Sequence, residues 1–291
     1  MKYKTIVAGV IGVTRHMRLL RVFLVAVVAL VLGAAIPEGW AHDDDGDEIP
    51  FDEAELFFEL NNTDGDLGIH ALIDGEGWKK LEIEDPNERR MLLVWVAGRL
   101  RRQGLTEIFF ESAEPTFDEL APADFFARFP EGEYEIEGRT LDGVELESIA
   151  ELTHTMPAPA GGITLNGVSD APIMKERCDD ESDLFGPTAV TLVDDTVTIA
   201  WAEVMTSHPD LGSPRSGDIV IHNYEVVVEV DVELDGGEEF TSVLHVVLPP
   251  GELSVTVPPE FIAQGEEFKY EILAREESFN QTAVESCFVL E

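Results

Sequence analysis

Between Ala54 and Thr155 apolar residues recur at every second position in short runs that end in turn residues. That period turns one face of each run inward, as a half-buried β-strand does. Leu56, Phe58 and Leu60 alternate with acids, the run Asn61-Asn62-Thr63-Asp64-Gly65-Asp66 turns the chain, and Ile69, Ala71 and Ile73 alternate again. Asp74-Gly75 reads as a further turn toward Trp78, Leu81 and Ile83. The clearest hairpin is Tyr134–Leu141 and Val144–Thr153 around Asp142-Gly143, a dipeptide suited to a two-residue type I′ loop.

Two stretches stand apart. Asp85-Pro86-Asn87-Glu88 before residues 91–100 is either a helix start, with a capping box and proline at the first position, or a type I turn. Met91–Val96 is bulky and apolar on both faces, and its strand-rich surroundings favour strand over helix. Ala121–Phe129 reads as a helix, with Pro122 in its first turn and Phe125, Phe126 and Phe129 on one face. Such a helix would lie across one end of the sheet and close the core.

The N-terminus carries a different signal. Residues 17–41 combine a basic segment, an apolar run from Val22 to Ile36 and a small-x-small end at Gly39 and Ala41. The pattern is that of a secretory signal peptide cleaved after Ala41; the run is short for a bilayer span, and an uncleaved anchor is the alternative. Residues 42–52 follow as an acidic, disordered leader. Residues 1–41 hold five of the 19 Lys and Arg and one of the 59 Asp and Glu, so the processed chain carries a net charge of −44. Such a field disfavours nucleic acid and anionic lipid as partners, and suits either cations or plain solubility in salt.

Residues 53–156 form one expected module and 163–291 a second, joined by a Pro- and Gly-containing linker over 157–162 that begins beside Met156. Val197-Thr-Ile-Ala-Trp201, Tyr224–Glu229, Leu253–Pro258 and Phe268-Lys-Tyr-Glu-Ile-Leu-Ala274 follow one another in the second. In that order they resemble strands B, C, E and F of a fibronectin type III domain. The resemblance covers Pro187–Glu291. It implies a β-sandwich used as a spacer or for recognition, with Trp201, Tyr224, Phe268, Tyr270 and Ala274 in its core. Phe268 stands where the family carries a corner tyrosine, so the hydroxyl-to-backbone bond of that corner is missing here. The B–C loop (Met205–Asp218) and the stretch Asp231–Glu239 are long. Gly104–Pro115 and Phe129–Gly132 faintly resemble N-terminal modules of exported bacterial proteins that have no assigned activity.

Cys178 and Cys287 are the only cysteines, and an exported chain with an even count is expected to pair them. A bridge closing a loop of that length contributes on the order of 4–5 kcal/mol in the chain-entropy account. No His-x-His, His-Glu-x-x-His, Gly-x-Ser-x-Gly or phosphate-binding glycine loop occurs. His70, His222 and His245 read as ordinary sheet residues, while His208 with Asp210 on the long loop is the one histidine–carboxylate pair in an exposed setting. Asn61-x-Thr63 and Asn280-x-Thr282 are glycosylation acceptors only in a eukaryotic secretory route.

The sharpest site candidate is the turn holding Asn62, Asp64 and Asp66, whose alternating oxygen donors suit a hard cation such as Ca²⁺. Leu67 occupies the position where an EF-hand needs glycine, so a simple hairpin turn is the competing reading. The acidic cluster at Cys178–Asp183 reads the same way. The sequence therefore points to a mainly β, non-enzymatic, secreted or periplasmic protein of two β-sandwich modules, the first with a short helix. Its partner would be a protein or polysaccharide, and signal cleavage would leave no membrane span. Alternatives are a calcium-assisted carbohydrate-binding protein using Asp64, Asp66 and Trp78, or a hydrolase with a scattered site.

Overall fold

A computed structural model describes residues 7–10, 48–170, 190–192, 196–234 and 236–290. Of the proposed signal segment only Val7–Val10 falls among them, as a short strand, β1; the rest of it, Cys178 and the Cys178–Asp183 cluster lie outside the described residues. The acidic leader ends in ordered chain: Ile49 bridges to Leu146 and Phe51 is buried.

The first module is built on one bent strand. β2 (Glu53–Asn61) and β3 (Asp66–Glu84) pair antiparallel, with Phe58 opposite Ile69 and Asn61 opposite Asp66. The turn expected at Asp74-Gly75 is absent, because β3 runs through those residues and bends. Gly75 lies against Phe51, where a Cβ would stand 3.1 Å from the ring, and Gly77 lies against the backbone of Gly104. Both glycines therefore serve close approach at a sheet corner in place of a reversal. Before the bend β3 pairs with β2 on one side; after it β3 pairs with β4 (Arg90–Trp95), which settles residues 90–95 as strand after an Asp85–Glu88 turn. β5 (Leu105–Glu111) joins the first half of β3, and β6 (Gly132–Thr140) the second.

Between β5 and β6, α1 (Pro122–Phe126) places its aromatic face on the core. The Phe58 ring meets those of Phe125 and Phe126 at 6.0 and 5.2 Å, both edge-on. Trp78, a contact residue in the carbohydrate-binding alternative, is fully buried in this core. β7 (Glu145–Leu152) completes the hairpin with β6, but the loop is longer than two residues. Gly143 N–H donates to the Thr140 carbonyl and Gly143 alone takes positive φ (96°) in that loop, the arrangement of a type I turn followed by a left-handed glycine. Tyr134 Oη donates to the Pro130 carbonyl at 3.0 Å, so a tyrosine corner occurs in this module, where no local pattern announces one.

In the second module β8 (Thr164–Leu165), β9 (Val168–Ser169), β11 (Val197–Ala200) and β14 (Ser254–Val257) form a four-stranded sheet in the order β14-β11-β8-β9. It faces the layer made by β12 (Ile221–Glu233), β13 (Glu239–Leu248), β15 (Glu267–Glu276) and β16 (Gln281–Leu290). The segments compared with strands B and E thus pair with each other, and those compared with C and F likewise. Asp231–Glu233 and Glu239 lie in paired strand at the far end of the long β12–β13 hairpin. Trp201 packs on Tyr224 at 5.4 Å, and Phe268 stacks on Phe288 at 5.0 Å, with α2 (Pro259–Ile262) bringing Phe261 alongside. Tyr270 and Ala274 lie in the same buried cluster.

The two modules share a sheet. β16 pairs in parallel with β2 through Gln281–Glu59, Thr282–Leu60 and Ala283–Asn61, and farther along with β10 (Val190–Leu192), also in parallel. β1 pairs with the outer edge of β13. One path therefore runs β1-β13-β12-β15-β16-β2-β3-β6-β7 across both hydrophobic cores.

Candidate functional site at the module junction

Parallel pairing over three residues leaves the junction to side chains. Asn280, just before β16 and fully buried, lengthens the ladder by one position. Its Oδ1 accepts from Phe58 N–H at 2.8 Å, and its Nδ2 donates to the carbonyls of Thr153 and Thr155 at 3.0 and 2.9 Å. One amide thus satisfies backbone groups of the first module that have lost water. It also removes Asn280 from any role as a glycosylation acceptor in the folded chain. Thr282 Oγ1 donates to the Pro157 carbonyl at 2.7 Å, Thr63 Oγ1 accepts from Glu285 N–H at 2.8 Å, and Asn61 Nδ2 donates to Glu285 at 3.1 Å.

The long B–C loop docks on the first module, which corrects the exposed setting expected for His208. His208 is buried. Its Nδ1 accepts from the backbone N–H of Asp210 and Leu211 at 3.1 and 3.0 Å, so the proton must sit on Nε2, which donates to Asn62 Oδ1 at 3.1 Å. His208 N–H donates to the Met156 carbonyl and Ser213 N–H to that of His154, while Leu211 packs against the first core. The linker segment is packed too, since Ala158 N–H donates to Thr206 and Met156 is fully buried. Burial holds the His208 pKa below its ordinary value, with Arg215 acting in the same direction and Asp210 against it.

Arg275 on β15 crosses to β2. Its guanidinium donates to Glu55 at 2.6 Å and lies between the rings of Phe57 and Phe279, 4.8 and 4.7 Å from their centroids. Phe279 holds this position with φ of 70°, a conformation few bulky residues adopt. A shallow groove of about 380 Å³ opens here, lined among others by Glu55, Thr153, Glu276 and Ser278. Burial raises the Glu276 pKa against hydrogen bonds from Ser278 that lower it.

On the same face Glu59, His70 and Glu114 converge. His70 Nε2 lies 3.2 Å from Glu114 Oε1 and Nδ1 lies 3.8 Å from Glu59 Oε2. Burial pushes the imidazole pKa down, but the hydrogen bond to Glu114 and the charges of Glu59, Glu114 and Glu111 outweigh it, and the net shift is upward. Gln281 Nε2 donates to Glu59 from the second module. Of the other histidines, His245 pairs with Glu225 at 2.7 Å, and His222 stands edge-on to Phe279.

Asn62 and Asp64 lie in the β2–β3 turn, while Asp66 is the first residue of β3, paired with Asn61. Asn62 is engaged by His208, and the turn is closed by Asn61 Oδ1, which accepts from Thr63 and Asp64 N–H. Glu59, Glu114 and Arg275 were invisible as site residues. Glu55, Glu59 and Asn61 look like the solvent face of an alternating strand, and only the pairing with a segment 222 residues away covers them. Cys287 is fully buried on β16.

No family model and no curated protein matches the chain. Among solved structures it is similar to the fibronectin(III)-like modules of CbhA from Clostridium thermocellum (11% identity, 83% of this chain and 93% of that one, TM-score 0.27). It is also similar to a bacterial ice-binding adhesin (12%, 84% and 66%, TM-score 0.21) and a β-glycosidase from Bacteroides vulgatus (10%, 82% and 25%, TM-score 0.20). Superpositions this loose carry nothing about function.

Replacing Asn280 by Ala leaves Phe58 N–H and two carbonyls unsatisfied in a buried place, and is expected to cost about 3 kcal/mol. In urea, one cooperative transition should then separate into two when the first module is followed by Trp78 and Trp95 in a Trp201→Phe background and the second by Trp201 with both of the others replaced. For His208 the folded pKa is depressed, so the unfolded chain binds the extra proton. The stability that His208 contributes is complete above its unfolded pKa of about 6.5 and is lost as pH falls below it. Thermal midpoints of wild type and His208→Gln, compared from pH 7.5 to 5.5, should show the wild type losing ground to the variant.

Proposed function

We propose that the chain is an exported, non-enzymatic protein whose two β-sandwich modules, residues 53–156 and 163–291, work as one rigid structural or recognition unit outside the cytoplasm. The observation that carries this reading is the continuation of one sheet from β16 into β2, sealed by Asn280 and His208. Side chains that a catalytic reading would need are spent on holding the modules together. Nε2 of His208 is committed to the junction through Asn62, and Nδ1 to the backbone N–H groups of Asp210 and Leu211 in its own loop. Burial of Trp78 weighs against the carbohydrate-binding alternative. Export rests on the signal pattern ending at Ala41, and the strongly acidic processed chain suits a soluble life in salt. The partner we infer is a protein or polysaccharide reached at an end or face of a fixed scaffold, and Cys178–Cys287 is the proposed covalent tie of the second module.

Two readouts test this on protein recovered from the exported fraction. N-terminal sequencing should begin at His42, and an intact start at Met1 or Met17 would overturn export by cleavage. Residual dipolar couplings should fit a single alignment tensor for both modules; two tensors of different magnitude would overturn the rigid unit.

A further inference from the structure

We propose that Glu59, His70 and Glu114 form a binding site for one divalent metal ion of the zinc class. Pairing geometry places the first two. Glu59 lies opposite Gly68 in the β2–β3 ladder, so His70, two residues on, is its diagonal neighbour on the same face. Glu114 arrives from the other side. β5 ends at Glu111 opposite His70, and the chain after it is fastened to β3 by Ser112, which exchanges hydrogen bonds with the backbone of Ile69. Gly68 makes the approach feasible, since a Cβ there would stand 2.7 Å from Glu114 Oε1 and 2.8 Å from its Cγ. Any other residue at position 68 would push the carboxylate away.

One donor atom from each of the three residues lies within 4.8 Å of the others. A four-coordinate ion with bonds of about 2.0–2.2 Å spaces its donors by roughly 3.3–3.6 Å. His70 Nε2 and Glu114 Oε1, 3.2 Å apart, already stand close to that spacing, so Glu59, which lies 3.8 Å from Nδ1, is the carboxylate that must swing toward the ion; its side chain and that of His70 are 4% and 2% exposed, against 24% for Glu114. The donor set selects the metal. One imidazole nitrogen with two carboxylates suits zinc and its neighbours, while Ca²⁺ seeks six to eight oxygens. The surroundings are those of a supported site: Gln281 steadies the Glu59 carboxylate, and the rings of Phe57 and Phe109 bracket the imidazole at 5.4 and 5.9 Å. A bound ion would tie β2, β3 and the segment after β5, and through Gln281 would reach the second module. It would reinforce the junction, and would do so in a place other than the Asn62-Asp64-Asp66 turn.

The test uses the full processed chain, freed of metal with chelator and titrated with Zn²⁺ by calorimetry in excess Mg²⁺, so that the acidic surface is already saturated. One Zn²⁺ should bind per chain and raise the unfolding midpoint, and Co²⁺ in its place should give the visible absorption of a four-coordinate ion. Glu114→Gln should weaken Zn²⁺ binding by at least roughly the ten- to hundredfold that lost outer partners cost, with the metal-free midpoint close to wild type. His70→Gln should abolish the site; if that variant does not fold, Glu114→Gln decides. Absence of a saturable site under Mg²⁺, or undiminished binding in Glu114→Gln, would overturn the proposal and leave the cluster as an imidazole bridged by two carboxylates.

Discussion

The outer edge of β16 is the constraint on which the rest depends. The last strand of a sandwich presents a row of unpaired N–H and C=O groups, which a folded protein must cover, twist away or charge. Here the edge is covered by two parallel partners from distant parts of the chain, β2 at Gln281–Ala283 and β10 at Val190–Leu192. Because β2 is itself the first strand of another sandwich, covering this edge fixes how the modules sit. The Asn280 amide then finishes what three ladder pairs begin, by taking the N–H of Phe58 and two carbonyls that the junction has dried. Loss of such a bond is costly because the partner it leaves behind stays buried.

Charge is handled by the same geometry. With so few basic side chains among so many acids, the position of each cation matters more than the total. Arg275 is held between two rings with one guanidinium nitrogen on Glu55 and another on the Phe279 carbonyl. His245 stands on Glu225, where burial raises the carboxyl pKa but the hydrogen bond and charge of His245 outweigh it and hold it below the ordinary range. These groups line one face of the shared sheet, together with Glu59, His70 and Gln281. A face of alternating acids, read alone, is a solvated surface. Set beside a second module it becomes a lined junction.

The sequence was informative where local chemistry decides and silent where pairing across distance does. Period-two alternation located β2, β3, β6 and β7, and the phenylalanines after Pro122 located α1, since both signals depend on neighbours in the chain. Trp201 against Tyr224 followed from the spacing shared with the fibronectin type III pattern. Asp74-Gly75 misled because the same dipeptide serves a hairpin turn and a sheet corner, and only Phe51 and Gly104 packing nearby distinguish them. His208 misled in a related way: a long polar loop is usually solvated, yet this one has another module to lie on. Nothing near Glu59 or Glu114 in the chain announces that they meet at His70, because three separate segments have to be paired before they do.

Amide hydrogen exchange of the native protein, read at the junction, bears most directly on the fused sheet. If β16 and β2 are one structural element, the N–H groups of Phe58, Asn62 and Glu285 open only with global unfolding, and their protection equals that of core amides such as Ile69 and Ile272. Protection at those three far below both cores, with the cores unaffected, would mean that the modules part while each stays folded, and would contradict the account.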